Sequence, residues 1–258
     1  MTTDQILIRL RNRFGRLARR YPSAADWVAA RLTTDRFNGL PLTVLAGLLL
    51  VNVMILSEVA ENVVNAEPMV QVDLWFTKTL FQARGTGMST FFYGVTWLGS
   101  LQATLGFALL GSILLLRQHK RRNVYILWSL IGGVAMFVQV GKRTFVRERP
   151  LQVAYYPETG YSFPSGHSAT AMILYGLLAY WLIRGHHSRW SRAGIGIVAV
   201  GLILMVGFSR IYLGVHFLSD VLGGYLLGLC WLIVGIVLTE WQRSSRWNEQ
   251  FKRPSKQT

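Results

Sequence analysis

The chain has a single cysteine, Cys230, set in an apolar run, so no disulfide can form within it and the redox compartment is left open. Charge is scarce as well: 15% of the 258 residues are charged, against about 25% in a typical soluble domain. Acids are scarcer than bases, with 12 Asp and Glu beside 27 Lys and Arg. The first 36 residues lack an apolar core and hold eight arginines, so no cleavable signal peptide is expected. No carboxylate cluster suited to Mg²⁺ accompanies the basic motifs, and neither a metal nor another cofactor is expected. What fills the chain is apolar: 52% hydrophobic residues and nine tryptophans suit a polytopic membrane protein.

A bilayer crossing needs about 20 mostly apolar residues. The sequence predicts about six, at 40–56, 101–116, 123–141, 168–183, 193–213 and 217–239. The stretch 88–116 is too long for one simple span; Gly99-Ser100 marks a break, with an interfacial or re-entrant helix before it. Residues 72–82 either lie on the membrane surface through Leu74, Trp75 and Leu80 or form a loop. The fold class is therefore an all-α integral membrane bundle. It divides into a basic amphipathic segment over 1–36, a membrane domain over 37–240 and a basic tail over 241–258. In the first segment Ile6, Leu10, Phe14 and Leu17 lie on one face and Arg9, Arg13 and Arg16 on others, the pattern of a helix resting on a leaflet.

Basic residues orient the spans. The N-terminal segment, 117–122, 184–192 and the chain after Glu240 hold 20 of the 27, and six spans put these four segments on one side, the cytoplasm. Both termini are thus expected there, in a cell inner membrane. Bases split among four membrane-flanking segments point to anionic lipid as the partner and argue against nucleic acid. Seven remain outside, and Lys142, Arg143, Arg147, Arg149 and Arg210 are five of them.

Those exceptions belong to three clusters that the topology gathers on one face. The first is Lys142 with Arg149-Pro150. Seven residues are two helical turns, and Pro150 makes Arg149 the expected helix end, so both side chains can reach one phosphate, Arg as a fork and Lys as a point charge. Snorkelling cations would give the same pattern. Arg147 can line the mouth, and Arg143 can meet headgroups or Glu148. The second cluster, Pro164-Ser165-Gly166-His167, opens a helix whose amides can hold an anion, with a plain N-cap turn as the alternative. The third is Arg210, His216 and Asp220. His216 and Asp220 are one turn apart, so the carboxylate can fix the tautomer and free the other nitrogen to attack. Arg210 falls off that face, which predicts a break near Gly214.

The pattern Lys-x6-Arg-Pro, Pro-Ser-Gly-His and Ser-Arg-x5-His-x3-Asp over 142–220 resembles the type-2 phosphatidic acid phosphatase family. The resemblance implies a metal-independent lipid phosphate phosphatase acting at the outer face by double displacement. His216 would be the nucleophile, Asp220 its orienter and His167 the acid to the leaving oxygen. Lys142, Arg149, Ser165, Gly166 and Arg210 would hold the phosphoryl oxygens. It also implies the substrates: undecaprenyl diphosphate, phosphatidic acid or phosphatidylglycerol phosphate, with a lipid A phosphatase or lipid phosphotransferase as alternatives. A vanadate-dependent haloperoxidase shares a similar anion pocket, but the membrane spans argue against it. A transporter is opposed by charges clustered at one face, with none at the midplane.

Overall fold

The computed structural model describes residues 1–65 and 68–252, and every regular element among them is a helix. Contacts group 1–51 with 236–252 and make 52–235 a second unit.

In the first unit the N-terminal segment folds as three short helices rather than one: α1 (Thr3–Arg13), α2 (Gly15–Arg20) and α3 (Pro22–Leu32). The breaks have local causes. Phe14 leaves helical geometry just before Gly15, and Pro22, which lacks an N–H, opens a helix more readily than it continues one. A capping box from Thr2 and Gln5 starts α1. α4 (Leu40–Val64) follows. Of the tail expected over 241–258, α11 (Leu218–Lys252) takes the part up to Lys252, and 253–258 lie outside the described residues.

The second unit holds α5 (Pro68–Gln82), α6 (Thr86–Trp97), α7 (Leu101–Arg117), α8 (Arg121–Phe145), α9 (Gly166–Gly185) and α10 (Arg189–Tyr212). Among the described residues five helices, α4, α8, α9, α10 and α11, are long and apolar enough to cross a membrane, and α6 with α7, bent by 46°, together form either a broken sixth span or a re-entrant loop. The bend sits at Gly99-Ser100, as the sequence predicts. A side chain at Gly99 would meet Val206 at 2.5 Å and His167 at 3.2 Å, so the missing Cβ is what lets the break press against α9 and α10. Ser100 then caps α7 by accepting from the Ala103 amide at 3.2 Å.

α9 packs against α7, α8 and α10. The core lies between them, built on Leu127, Leu130 and Val134 of α8, Ile173 and Leu177 of α9, and Val206 of α10. Large apolar side chains such as Leu109, Leu110, Ile113, Ile197 and Val198 point outward. That arrangement suits lipid, where close packing rather than water exclusion holds helices together. α5 resolves the two readings of 72–82: it is a helix with Leu74 and Trp75 exposed, while Leu80 turns inward onto Phe92 and Tyr212.

Candidate active site

Three helix ends and two loops of the second unit build the site. α8 ends at Phe145, not at the expected Arg149. Val146 adopts φ 48 and its amide closes back on the Lys142 carbonyl at 3.2 Å, so the chain leaves the helix four residues before Pro150. Lys142 therefore stays in the last helical turn while Arg149 arrives on an extended segment. The two are joined by a chain reversal, not by a shared helix face. α9 starts as expected, with Ser165 as its N-cap and Gly166 and His167 in its first turn.

The turn between α10 and α11 is the expected break. Gly214 has φ 67, and a Cβ there would lie 2.5 Å from the Val153 carbonyl oxygen. His216 sits in this turn, two residues before α11, so the expectation that His216 and Asp220 share a helix is corrected. Their pairing stands. His216 Nδ1 is 3.3 Å from Asp220 Oδ2, which also accepts the Phe217 amide at 2.9 Å. Nε2 faces Arg149 Nη1 at 3.1 Å. With the proton on Nδ1, Nε2 carries the lone pair and accepts from Arg149. His216 is 1% exposed. Burial first, then the cations of Arg210, Arg149 and Lys142, hold its pKa well below the ordinary histidine range, so the ring stays neutral.

Arg149 is almost fully committed. It donates from Nε to the Gly160 carbonyl at 2.8 Å, from Nη1 to Val215 at 2.8 Å and from Nη2 to Tyr161 at 3.2 Å. Arg210 is 1% exposed. It donates from Nη1 to Thr96 Oγ1 at 2.8 Å and to the Tyr156 hydroxyl, and from Nη2 to Glu158 at 2.5 Å. Its Nε is a buried donor without a partner. Lys142 lies within electrostatic reach of Arg149, Glu158 and Arg210, and His167 within reach of Arg210, Glu158 and His216. Ser165 is buried, its Oγ accepting from Ser168 Oγ at 3.0 Å, which leaves its own hydroxyl proton to donate. Lys142, Arg149, Ser165, Gly166, His167, Arg210, His216 and Asp220 are thus assembled at one place.

Arg147 does not line a mouth. It bridges two buried acids, Asp220 Oδ1 and Asp73 Oδ2, both at 2.7 Å. Asp73 in turn accepts the Ser219 amide at 2.9 Å and the Ser219 hydroxyl at 2.5 Å. Arg143 is exposed. Asp73 and Glu158 are the residues that sequence reasoning missed. Asp73 meets Arg147 across 74 positions and Glu158 meets Arg210 across 52, beyond any local pattern. A signal existed in the charge balance: between 68 and 220 the acids are only Asp73, Glu148, Glu158 and Asp220, and buried cations there must draw on them.

A profile of the PAP2 superfamily matches residues 122–244. The phosphatidylglycerophosphatase B of Bacillus subtilis is 33% identical over 141 residues, 53% of this chain and 68% of that protein. The undecaprenyl-diphosphatase of Sulfolobus acidocaldarius is 31% identical over 104 residues, 40% of this chain and 46% of its own length. Among solved structures, the transmembrane PAP2-type phosphatidylglycerolphosphate phosphatase of Bacillus subtilis superposes with a TM-score of 0.69 at 27% identity, over 75% of this chain and 96% of that one.

Proposed function

Since the chain belongs to the PAP2 superfamily and is a multi-pass membrane phosphatase, we propose that it hydrolyses a lipid phosphate at the outer face of the membrane through a phosphohistidine. The observation that carries this is the orientation of His216: Nδ1 on Asp220, Nε2 toward the cations. In the first step the Nε2 lone pair attacks phosphorus, an N–P bond forms and the bond to the lipid oxygen breaks. His167, at the N-terminus of α9, supplies the proton that this oxygen takes. In the second step His167 takes a proton from water, the hydroxide attacks phosphorus, the N–P bond breaks and phosphate leaves. Asp220 holds the ring and balances its charge in between. Lys142, Arg149, the free Nε–H of Arg210, the Ser165 hydroxyl and the Gly166 amide face the oxygens as charge spreads. These cations supply the electrostatic work that a divalent ion performs in other phosphatases.

The substrate proposed is a polyprenyl diphosphate such as undecaprenyl diphosphate, whose additional oxygens match the number of cations. The similarity to phosphatidylglycerophosphatase B favours phosphatidylglycerol phosphate as the second reading. The test compares kcat/KM for undecaprenyl diphosphate, phosphatidylglycerol phosphate, phosphatidic acid and a lipid A 1-phosphate in mixed micelles. Preference for the diphosphate is expected, preference for another lipid replaces the substrate, and no hydrolysis of any of them by folded protein defeats the phosphatase reading. With a labelled substrate, His216→Ala traps no phosphoenzyme, whereas His167→Ala still accumulates it from a good leaving group.

A further inference from the structure

Glu158 pairs with two of the cations that the proposed reaction assigns to the phosphoryl oxygens. Its Oε2 is 2.5 Å from Arg210 Nη2 and its Oε1 is 3.8 Å from Arg149 Nη2, so one carboxylate spans two of the cradle cations. It also separates two cavities. One, of about 990 Å³, opens past Glu158 on the side of Arg149, Gly160 and Phe217. The other, of about 620 Å³, opens past Glu158 on the side of Arg210, His167 and Trp97. The first holds no histidine of the site and the second holds no Arg149, so with Glu158 in place neither cavity contains the full set of groups.

The charge balance points the same way. Four cations, Lys142, Arg147, Arg149 and Arg210, gather with three carboxylates, Asp73, Glu158 and Asp220. Asp73 and Asp220 are fully buried and locked on Arg147 and the Ser219 and Phe217 amides. Glu158 is 23% exposed and is flanked by exposed Pro157, Thr159 and Gly160, so it has room to swing out. When it leaves, the cluster carries two positive charges in excess. That is the charge of a phosphomonoester or terminal diphosphate dianion, and twice that of a phosphodiester headgroup.

We infer that Glu158 is a specificity-determining latch: its carboxylate occupies the phosphoryl position in the resting protein and yields to a dianionic phosphoryl group, while singly charged phosphodiester lipids, which gain no charge over it, are refused. The inference rests on the phosphatase reading of the same pocket. Glu158 is suited to the role because, against the upward pull of its partial burial, the Arg210 and Arg149 cations hold its carboxyl down at about 2, so it is ionised at neutral pH. A phosphate is preferred to it because a dianion engages several donors at once, including Arg210 Nε, which Glu158 leaves unused.

The test uses the full chain in detergent and inorganic phosphate as the probe, read both as a Ki against lipid phosphate hydrolysis and as a Kd by calorimetry. Glu158→Gln, which keeps the shape and removes the competing negative charge, should tighten phosphate about tenfold, a change of about 1.4 kcal/mol. Glu158→Asp, whose carboxylate is withdrawn by one methylene, should fall between wild type and Glu158→Gln. Phosphatidylglycerol added to the micelles should inhibit Glu158→Gln at concentrations that leave wild type unaffected. A Kd for phosphate that is unchanged or weaker in both variants overturns the latch and makes Glu158 a fixed counter-ion of Arg210. Because the Kd is read without turnover, an inactive wild type would defeat the phosphatase reading while the binding comparison still decides the latch.

Discussion

His216 is neutral because its surroundings penalise the imidazolium twice, by burial and by three nearby cations. The sign is definite: a depressed pKa keeps the proposed nucleophile unprotonated at pH values where a free histidine is charged. The acid limb of kcat/KM that reports His216 should therefore fall below the ordinary histidine range, and a limb within or above it would contradict this environment. Behind His216, Asp220 owes its position to Arg147, and Arg147 to Asp73. Removing one partner of a buried ion pair leaves the other uncompensated, at a cost of about 3–5 kcal/mol. Asp73→Asn should accordingly lower the melting temperature and reduce kcat more than it changes KM, although residue 73 is 146 positions from Ser219, its nearest partner in α11. Asp73→Asn combined with Arg147→Met should cost less than the sum of the two single changes. Additive losses in that double-mutant cycle would separate Asp73 from Asp220.

At the scale of elements, the sequence displays whatever depends on neighbours along the chain. The apolar runs mark the spans, Ser165 and Gly166 mark the start of α9, and Gly99 and Gly214 mark a bend and a turn, because each is a local requirement on hydropathy or on the absent Cβ. Pro150, read as the stop signal, puts the expected helix end at Arg149. The chain in fact stops earlier, at a left-handed Val146 that no residue preference announces. Asp73 and Glu158 were invisible for a different reason. Their shortest ion pairs, Asp73 with Arg147 and Glu158 with Arg210, join segments far apart in sequence, which periodicity cannot encode. The bend at Gly99 carries its own consequence. Gly99→Ala would force Val206 or His167 to move by several tenths of an ångström or more, since the added carbon lies 2.5 Å and 3.2 Å from them. Such a change should depress turnover by displacing His167, the proposed proton donor, while leaving the proposed phosphate binding at Arg149 nearly intact. Equal loss of both would mean that the whole bundle had shifted.

For the whole molecule, the distribution of charge sets the orientation proposed here, with 20 of 27 basic residues on segments assigned to the cytoplasm. The seven left outside at first look like a violation. Their partners reduce it: Arg147 is held by Asp73 and Asp220, and Arg149 and Arg210 share Glu158, so much of the charge on that face is cancelled within the site. An outward site also fits a lipid whose phosphate stands at the interface while its tails stay among the helices. The orientation can be read with one thiol. Cys230 accepts from Asn52 Nδ2 at 2.9 Å, so Cys230→Ser, which keeps an acceptor there, is the background of choice. Thr159 is exposed on the loop beside Glu158, and Thr159→Cys in that background places a thiol at the rim of the site. A membrane-impermeant maleimide should label it in intact cells. Labelling only after lysis would invert the protein, place its termini outside and give the active site a substrate drawn from the cytoplasmic leaflet.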